Sequence, residues 1–172
     1  MDLLSGKLFH NRYRLIREVG RGSYGEVWLA KDTLIDVDVA IKVYVALDPR
    51  GAEEFMSEYK NTYELSHRNL MHAYHFDVCD HRPYLVMSYC SNGSAEDLIS
   101  RIDEPTIWYF IRDVAAGLSY LHEQEPPLIH QDIKPANILI DSTGHFLITD
   151  FGISMRIRNT LRKNSSQISK AG

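Results

Sequence analysis

The chain has 172 residues, 44% of them apolar and 24% charged, the balance of a soluble globular protein of one domain, or of one domain and part of another. No stretch approaches the roughly 20 apolar residues of a membrane span, and the start MDLLSGKLFHNRYR has no apolar block behind a basic end, so neither a span nor a signal peptide is expected. Cys79 and Cys90 are too few for a disulfide framework and read as reduced thiols of a cytoplasmic protein. The net charge of −4 conceals five cations and no acid in residues 153–172. No aromatic residue is interleaved with them, so a solvated segment is expected there rather than a nucleic-acid interface.

In chain order, YRLIREVGRG (13–22) and GEVWLAKD (25–32) predict two strands around a glycine turn. DVDVAIKVYV (36–45) alternates, is rich in β-branched residues, and predicts a third. Asp48 as N-cap and Pro49 as first helical residue open a helix over 49–65, with Glu53 and Glu54 in its early turns. LMHAYHFDVC and RPYLVMSYC predict two further strands. A short helix follows in SAEDLISRI, with Ser94 as its cap. Ile107, Ile111, Val114, Ala115, Leu118 and Leu121 recur at helical spacing, so a helix over about 104–124 should bury that stripe. Pro126 and Pro127 end it. Short strands are then expected at 137–141 and 145–150. The order predicts two lobes joined near residues 90–94.

Four stretches carry chemistry. GRGSYGEV (20–27) sets Gly20, Gly22 and Gly25 at GxGxxG spacing, where missing Cβ atoms let backbone N–H groups approach phosphate oxygens. A dinucleotide fingerprint would need strand, turn and helix. Here strands flank the turn, which suits a flap over a nucleotide. VAIK (39–42) puts Ala40 and Lys42 on one face of a strand, a small residue beside a cation able to reach phosphate. An inward lysine needs an acid, and the next helix offers Glu54 and Glu58. HQDIKPANILI (130–140) packs His130, Asp132, Lys134 and Asn137 into a loop that Pro135 keeps from being a helix interior. Asp132 can accept a hydroxyl proton, Lys134 can neutralise a phosphoryl group, and Asn137 can ligate a metal through its carbonyl oxygen. Asp150, opening DFG (150–152), is an acid at a strand end that can bridge metal and phosphate.

Taken together and in this order, these motifs make residues 13–172 resemble a protein kinase domain. The resemblance implies an α+β fold: a small lobe over 13–89, a five-stranded antiparallel sheet plus a helix; a hinge at 90–94; and over 95–172 the first part of a helical large lobe, with catalytic loop, DFG element and the start of an activation loop. It implies ATP and Mg2+ as cofactors and a protein serine or threonine as acceptor, Lys134 being the serine/threonine pattern. Asp132, Lys134, Lys42 and Glu58 would be catalytic, Glu58 being chosen over Glu54 because it stands nine residues before His67. Asn137 and Asp150 would hold the metal. Gly20, Arg21, Gly22, Ser23, Gly25, Val27, Ala40, Lys42, Met87, Tyr89, Cys90, Ser94 and Leu139 would contact the nucleotide. Val27, Ala40 and Leu139 would flank adenine, Met87 would guard the back pocket, and Tyr89 and Cys90 would give hinge hydrogen bonds.

Three departures stand out. Gln131 replaces the family's arginine between His130 and Asp132, which normally grips an activation-loop phosphate. Thr62 stands where a large apolar residue is usual. The Ala-Pro-Glu element and the later large-lobe helices are not in these 172 residues, so the chain is expected to be an N-terminal fragment, inactive alone. Two rival readings are a non-catalytic nucleotide-binding regulatory module and a small-molecule kinase.

Overall fold

The computed structural model describes residues 3–22 and 24–151, which divide into two compact units. Among the described residues, one comprises the chain up to Lys60 together with Ala73–Tyr89; the other comprises Asn61–His72 and residues 90–151. Ser23 and the glycine of DFG, Gly152, lie outside the described residues, as does the basic segment 153–172.

The first unit is built on an antiparallel sheet of β1 (Leu8–Phe9), β2 (Tyr13–Gly22), β3 (Gly25–Asp32), β4 (Val37–Tyr44), β5 (Ala73–Cys79) and β6 (Arg82–Ser88). Its strand order is β1-β2-β3-β4-β6-β5. Five strands were expected; the sixth, β1, is two residues long and extends the β2 edge. A tight turn creates it. The Arg12 N–H donates to the Phe9 carbonyl at 3.1 Å, with His10 at φ 46° and Asn11 at φ 54°, the left-handed pair of a type I′ hairpin turn.

Alternation then sorts the sheet into two faces. Tyr13, Leu15, Trp28, Ala30, Val39, Ile41, Val43, Tyr84 and Val86 form one buried cluster with Phe9. The opposite face carries α1 (Pro49–Tyr63), two residues shorter than the 49–65 expected. Asp48 opens this helix by accepting the Gly51 N–H at 2.7 Å. Phe55 meets Tyr44 edge-on with ring centroids 4.6 Å apart, and Phe55 and Tyr59 stack on Phe76 at 5.8 and 5.0 Å.

At the far end of β3, Asp32 has no exposure, yet it carries a charge. Arg12 grips it with Nε at 3.1 Å from both oxygens and Nη2 at 2.7 Å from Oδ2, and the Leu34 N–H adds a fourth hydrogen bond. The guanidinium holds the Asp32 carboxyl below its ordinary range, against the opposing pull of burial.

The second unit packs α2 (Glu104–His122) on a ribbon of β7 (Ile138–Ile140) and β8 (Phe146–Ile148). Asp103 caps α2, accepting from the Thr106 N–H at 3.0 Å. Residues 61–72, which fall in the first lobe on the sequence reading, group here because Leu65 and Leu70 enter this core and the Met71 N–H donates to the Ile148 carbonyl at 2.8 Å. Both ribbon strands are shorter than expected. Asn137 belongs to a 3-10 turn (Pro135–Asn137), and the Asp141 carboxylate folds the next turn by accepting the Thr143 and His145 N–H groups.

The α2 stripe is also corrected. Leu121 is fully buried and Val114 buried, but Ile111 is 48% exposed and Ile107 and Ala115 are exposed too. The face turned inward runs through Asp113, Val114, Gly117 and Leu121. Asp113 is buried because it accepts the Phe146 N–H at 3.1 Å and two bonds from Arg112. Gly117 is required by close approach, since a Cβ there would lie 2.9 Å from Ile148 Cδ1 and 3.0 Å from the Asn69 carbonyl oxygen.

Two stability outcomes follow. Arg12→Met leaves a buried carboxylate unpaired and should cost about 3 kcal/mol near neutral pH, the lower end for breaking a buried pair. Because Asp32 has a depressed folded pKa, its pairing contributes above the ordinary carboxylate value of about 4 and is lost as pH falls through the folded value. In chemical melts of both proteins between pH 7 and 3 the stability gap should therefore narrow toward the acid end; a constant gap would remove the ion pair from the explanation. Gly117→Val should overpack the α2–β8 contact and lower stability by about 1–3 kcal/mol, read by the same melts at pH 7.

Candidate active site

In the first unit the glycine turn joins β2 to β3, whose pairing runs to Gly22 opposite Gly25. Gly25 has φ 146°, and a Cβ on it would lie 2.1 Å from the Val43 carbonyl oxygen, so no other residue fits. Across the sheet Val27 pairs with Lys42, Leu29 with Ala40, and Ala40 with Met87. Cross-strand partners share a face. Val27, Ala40, Lys42 and Met87 therefore line the side of the sheet on which Phe55 of α1 packs.

Lys42 places its Nζ 5.3 Å from the centre of the Tyr44 ring. Glu58 is half-buried and follows Phe55 by three residues, which puts it on the inward face of α1. Glu54 instead lies with Oε1 3.5 Å from Arg50 Nε, along the helix surface. Thr62 is half-buried, one turn after Glu58. Tyr89 accepts a hydrogen bond at its hydroxyl from Arg17 Nη2, at 2.8 Å. Arg21 does not extend from the turn toward this face: its guanidinium is bound to Glu18 and Glu26.

In the second unit the polar loop is organised by His130, which is only 2% exposed. Its Nδ1 accepts the Asp132 N–H at 3.3 Å, so the ring proton sits on Nε2, which donates to the Thr149 carbonyl at 2.8 Å. The Asn137 amide NH2 donates to the Asp132 carbonyl at 2.8 Å and to its Oδ2 at 3.1 Å. Lys134 Nζ reaches the same Oδ2 at 3.2 Å. One carboxylate thus gathers the lysine and the carboxamide, and with its NH2 spent on Asp132 the carboxamide of Asn137 turns Oδ1 the other way.

Asp150 follows a residue fixed on both sides. The Thr149 N–H donates to the Asn137 carbonyl at 3.0 Å while its own carbonyl accepts from His130. Asp150 itself sits at φ 65°, a left-handed conformation that aspartate tolerates better than most residues. Gln131 shares that conformation at φ 64° and is exposed. Asn137 Oδ1 and the Asp150 carboxylate are hard oxygen donors, the type that suits Mg2+. Among the described residues no group of three or more His, Cys, Asp or Glu could hold a metal by itself. Two donors with phosphate oxygens completing the shell is the usual pattern for Mg2+.

Cys90, Ser94 and Leu139 also lie in this unit. Ser94 and Leu139 form an antiparallel bridge, and the Ile140 N–H donates to the Gly93 carbonyl at 2.9 Å. Asp97 caps the short turn Ala95–Leu98 by accepting from the Ser94 N–H at 2.9 Å. Burial, and secondarily the charge of Asp141, pushes the Cys90 thiol up to about 11.

Two supporting residues carry no motif. Asn69 is buried and donates through Nδ2 to the Phe146 carbonyl at 3.0 Å, and Asp113 takes the Phe146 N–H. Together they fix the β8 strand that leads to Asp150. A polar residue inside an apolar stripe was the one available signal for Asp113.

A family model for the protein kinase domain matches residues 13–171. The chain is 33% identical over 157 residues to the serine/threonine-protein kinase dst1 of Dictyostelium discoideum, covering 90% of this chain and 21% of that protein. It is 28% identical over 172 residues to PrkC, a serine/threonine-protein kinase of Bacillus subtilis, covering 96% of this chain and 26% of the relative. Over 162 residues it is 32% identical to serine/threonine-protein kinase 1 of Arabidopsis thaliana, covering 91% and 19% respectively. The chain therefore spans about a fifth to a quarter of these relatives. A turn glycine, Gly25, that leaves no room for a Cβ, a strand lysine, and an aspartate holding lysine and asparagine in the loop before β7 all fall inside the matched residues, and the chain belongs to the protein kinase domain family.

Proposed function

We propose that these residues carry the nucleotide-binding and phosphoryl-transfer groups of an ATP-dependent serine/threonine protein kinase, organised as a small lobe over 13–89, a hinge at 90–94 and the first part of a large lobe from 95. The observation that supports it most is the Asp132–Lys134–Asn137 cluster, in which one carboxylate holds both partners. In this reading ATP supplies the γ-phosphoryl group and Mg2+ spreads its charge. Lys42, steadied by Glu58, holds the α- and β-phosphates. The glycine turn offers backbone N–H groups, Val27, Ala40 and Leu139 give apolar contact to the base, and Met87 guards the pocket behind it. Tyr89 and Cys90 offer backbone hydrogen bonds to its edge, and Ser94 lies near the ribose. Asn137 Oδ1 and Asp150 hold the metal.

Asp132 accepts the proton of the incoming serine or threonine hydroxyl. The hydroxyl oxygen bonds to the γ-phosphorus as the bond to the bridging oxygen breaks, and ADP leaves with that oxygen. Lys134 offsets negative charge on the transferring group. Positioning and charge stabilisation, rather than covalent chemistry, account for the rate. Gln131 is a neutral amide and cannot pair with an activation-loop phosphate as arginine does, so switching by that route is not expected. The setting proposed is the cytoplasm; no helix among the described residues is long and apolar enough to cross a membrane. Residues 1–172 alone are proposed to be inactive, because Ile107, Trp108 and Ile111 leave an apolar side of α2 exposed, Trp108 by 63%.

The test uses the full-length protein with radiolabelled ATP and serine-, threonine- or tyrosine-containing peptides beside small alcohols. Transfer should go to serine or threonine. Asp132→Asn should lower turnover by about 10²–10⁴-fold with nucleotide affinity nearly intact; full turnover in that variant would exclude Asp132 as the base. Binding of nucleotide with no transfer to any acceptor would favour the regulatory-module reading instead.

Lys42→Met should weaken Mg-ATP binding by about ten- to a hundredfold, the worth of a hydrogen bond to a charged group. Calorimetry giving unchanged affinity would place the phosphates elsewhere.

A further inference from the structure

Glu26 stands where the sheet pattern calls for an apolar residue. It follows Gly25 on β3, and the next residues on its face, Trp28 and Ala30, are buried, as is its β4 partner Val43. Its side chain is only 15% exposed. A carboxylate in that position is costly unless it is surrounded by donors. It is: Oε2 accepts from Trp28 Nε1 at 3.1 Å and from Arg21 Nη2 at 3.3 Å, and Oε1 accepts from Arg82 Nη2 at 3.2 Å. Both arginines extend the network. Arg82 Nε donates to the Tyr44 carbonyl at 2.8 Å, and Arg21 grips Glu18 through Nε at 2.8 Å and Nη2 at 2.7 Å.

The members come from β2, β3, β4 and β6, and all lie at the end of the sheet where the glycine turn begins. Arg21 and Glu26 are direct cross-strand partners, one residue pair in from Gly22 and Gly25. Their shared face is the one opposite Val27. Strand alternation places the Arg21 side chain on the face away from Val27, Glu18 and Glu26 hold it there, and the turn offers the Val27 side backbone rather than a mobile cation.

The geometry points to Glu26 as a positioning residue for the glycine turn: through Arg21 and Arg82 it ties the tip of the β2–β3 hairpin to β4 and β6 and so holds the turn's backbone N–H groups ready for phosphate. This rests on the reading of residues 20–27 as the phosphate-binding turn. The role is separate from the backbone contacts themselves, since Glu26 acts only through other residues. It also narrows the part given to Arg21, whose contribution to nucleotide is its backbone and not its guanidinium.

The experiment compares wild type, Glu26→Gln and Arg82→Met in the full-length protein. Glu26→Gln keeps the shape and removes the charge that both arginines share; Arg82→Met cuts the same network from β6, a strand outside the β2–β3 hairpin. Amide hydrogen exchange over residues 20–25 should rise at least about fivefold in both variants while core strand amides keep their protection, a local opening rather than a global one. The KM for ATP should rise about tenfold with kcat changed less than about twofold, the pattern of lost ground-state binding. Unchanged exchange in the turn of both variants would overturn the proposal. So would a rise in exchange spread evenly over the sheet, which would make Glu26 a stability residue only. A wild-type protein that fails to bind Mg-ATP would sink the nucleotide reading while leaving the exchange result to judge the tether.

Discussion

The polar loop depends on a single buried ring. His130 accepts at Nδ1 and donates at Nε2, and those two bonds join the backbone of Asp132 to the backbone of Thr149. A neutral imidazole can do both at once; a charged one cannot accept. The loop that carries Asp132, Lys134 and Asn137 is thereby fastened to the strand end that carries Asp150, across a sequence gap of eighteen residues. Every polar group of the cluster inherits its place from that fastening. The Asn137 amide then closes the loop on itself.

The same economy governs the ribbon beneath. β7 and β8 are three residues each, too short to be stable alone. They hold because Asn69 and Asp113 satisfy both backbone groups of Phe146 from outside the pair. Gly117 allows α2 to come close enough for the contact. The ribbon is thus a rigid mount made from weak strands, with buried side-chain hydrogen bonds supplying what strand length does not. Such bonds are worth most where water is excluded.

Much of this was legible from the chain, and the exceptions have physical reasons. The strands at 13–22 and 25–32 could be read because Gly22 and Gly25 mark the turn between them and β-rich sequence runs outward from it on both sides. Sites defined by backbone need, such as Gly25, were legible for the same reason. β1 was not, since two residues carry no alternation; its cause is the left-handed His10–Asn11 turn, and neither residue demands that conformation. The inward side of α2 was misjudged because hydropathy ranks Ile107 and Ile111 above Asp113 and Gly117. The helix in fact turns toward its strand with a hydrogen-bond acceptor and a gap. The Glu26 network was invisible for the converse reason: an acid beside a glycine turn looks like solvated surface until Arg21 and Arg82 are seen to converge on it.

The Cys90 thiol, raised to about 11 by its surroundings, bears on how this protein meets electrophiles. Only the thiolate attacks, and a group with that pKa is ionised in about one molecule in ten thousand at pH 7. Oxidants and alkylating reagents that depend on thiolate character will therefore pass it over in favour of ordinary cellular thiols. Cys90 is half-buried, and a reagent directed at that stretch of chain meets its neutral, less nucleophilic form near neutral pH.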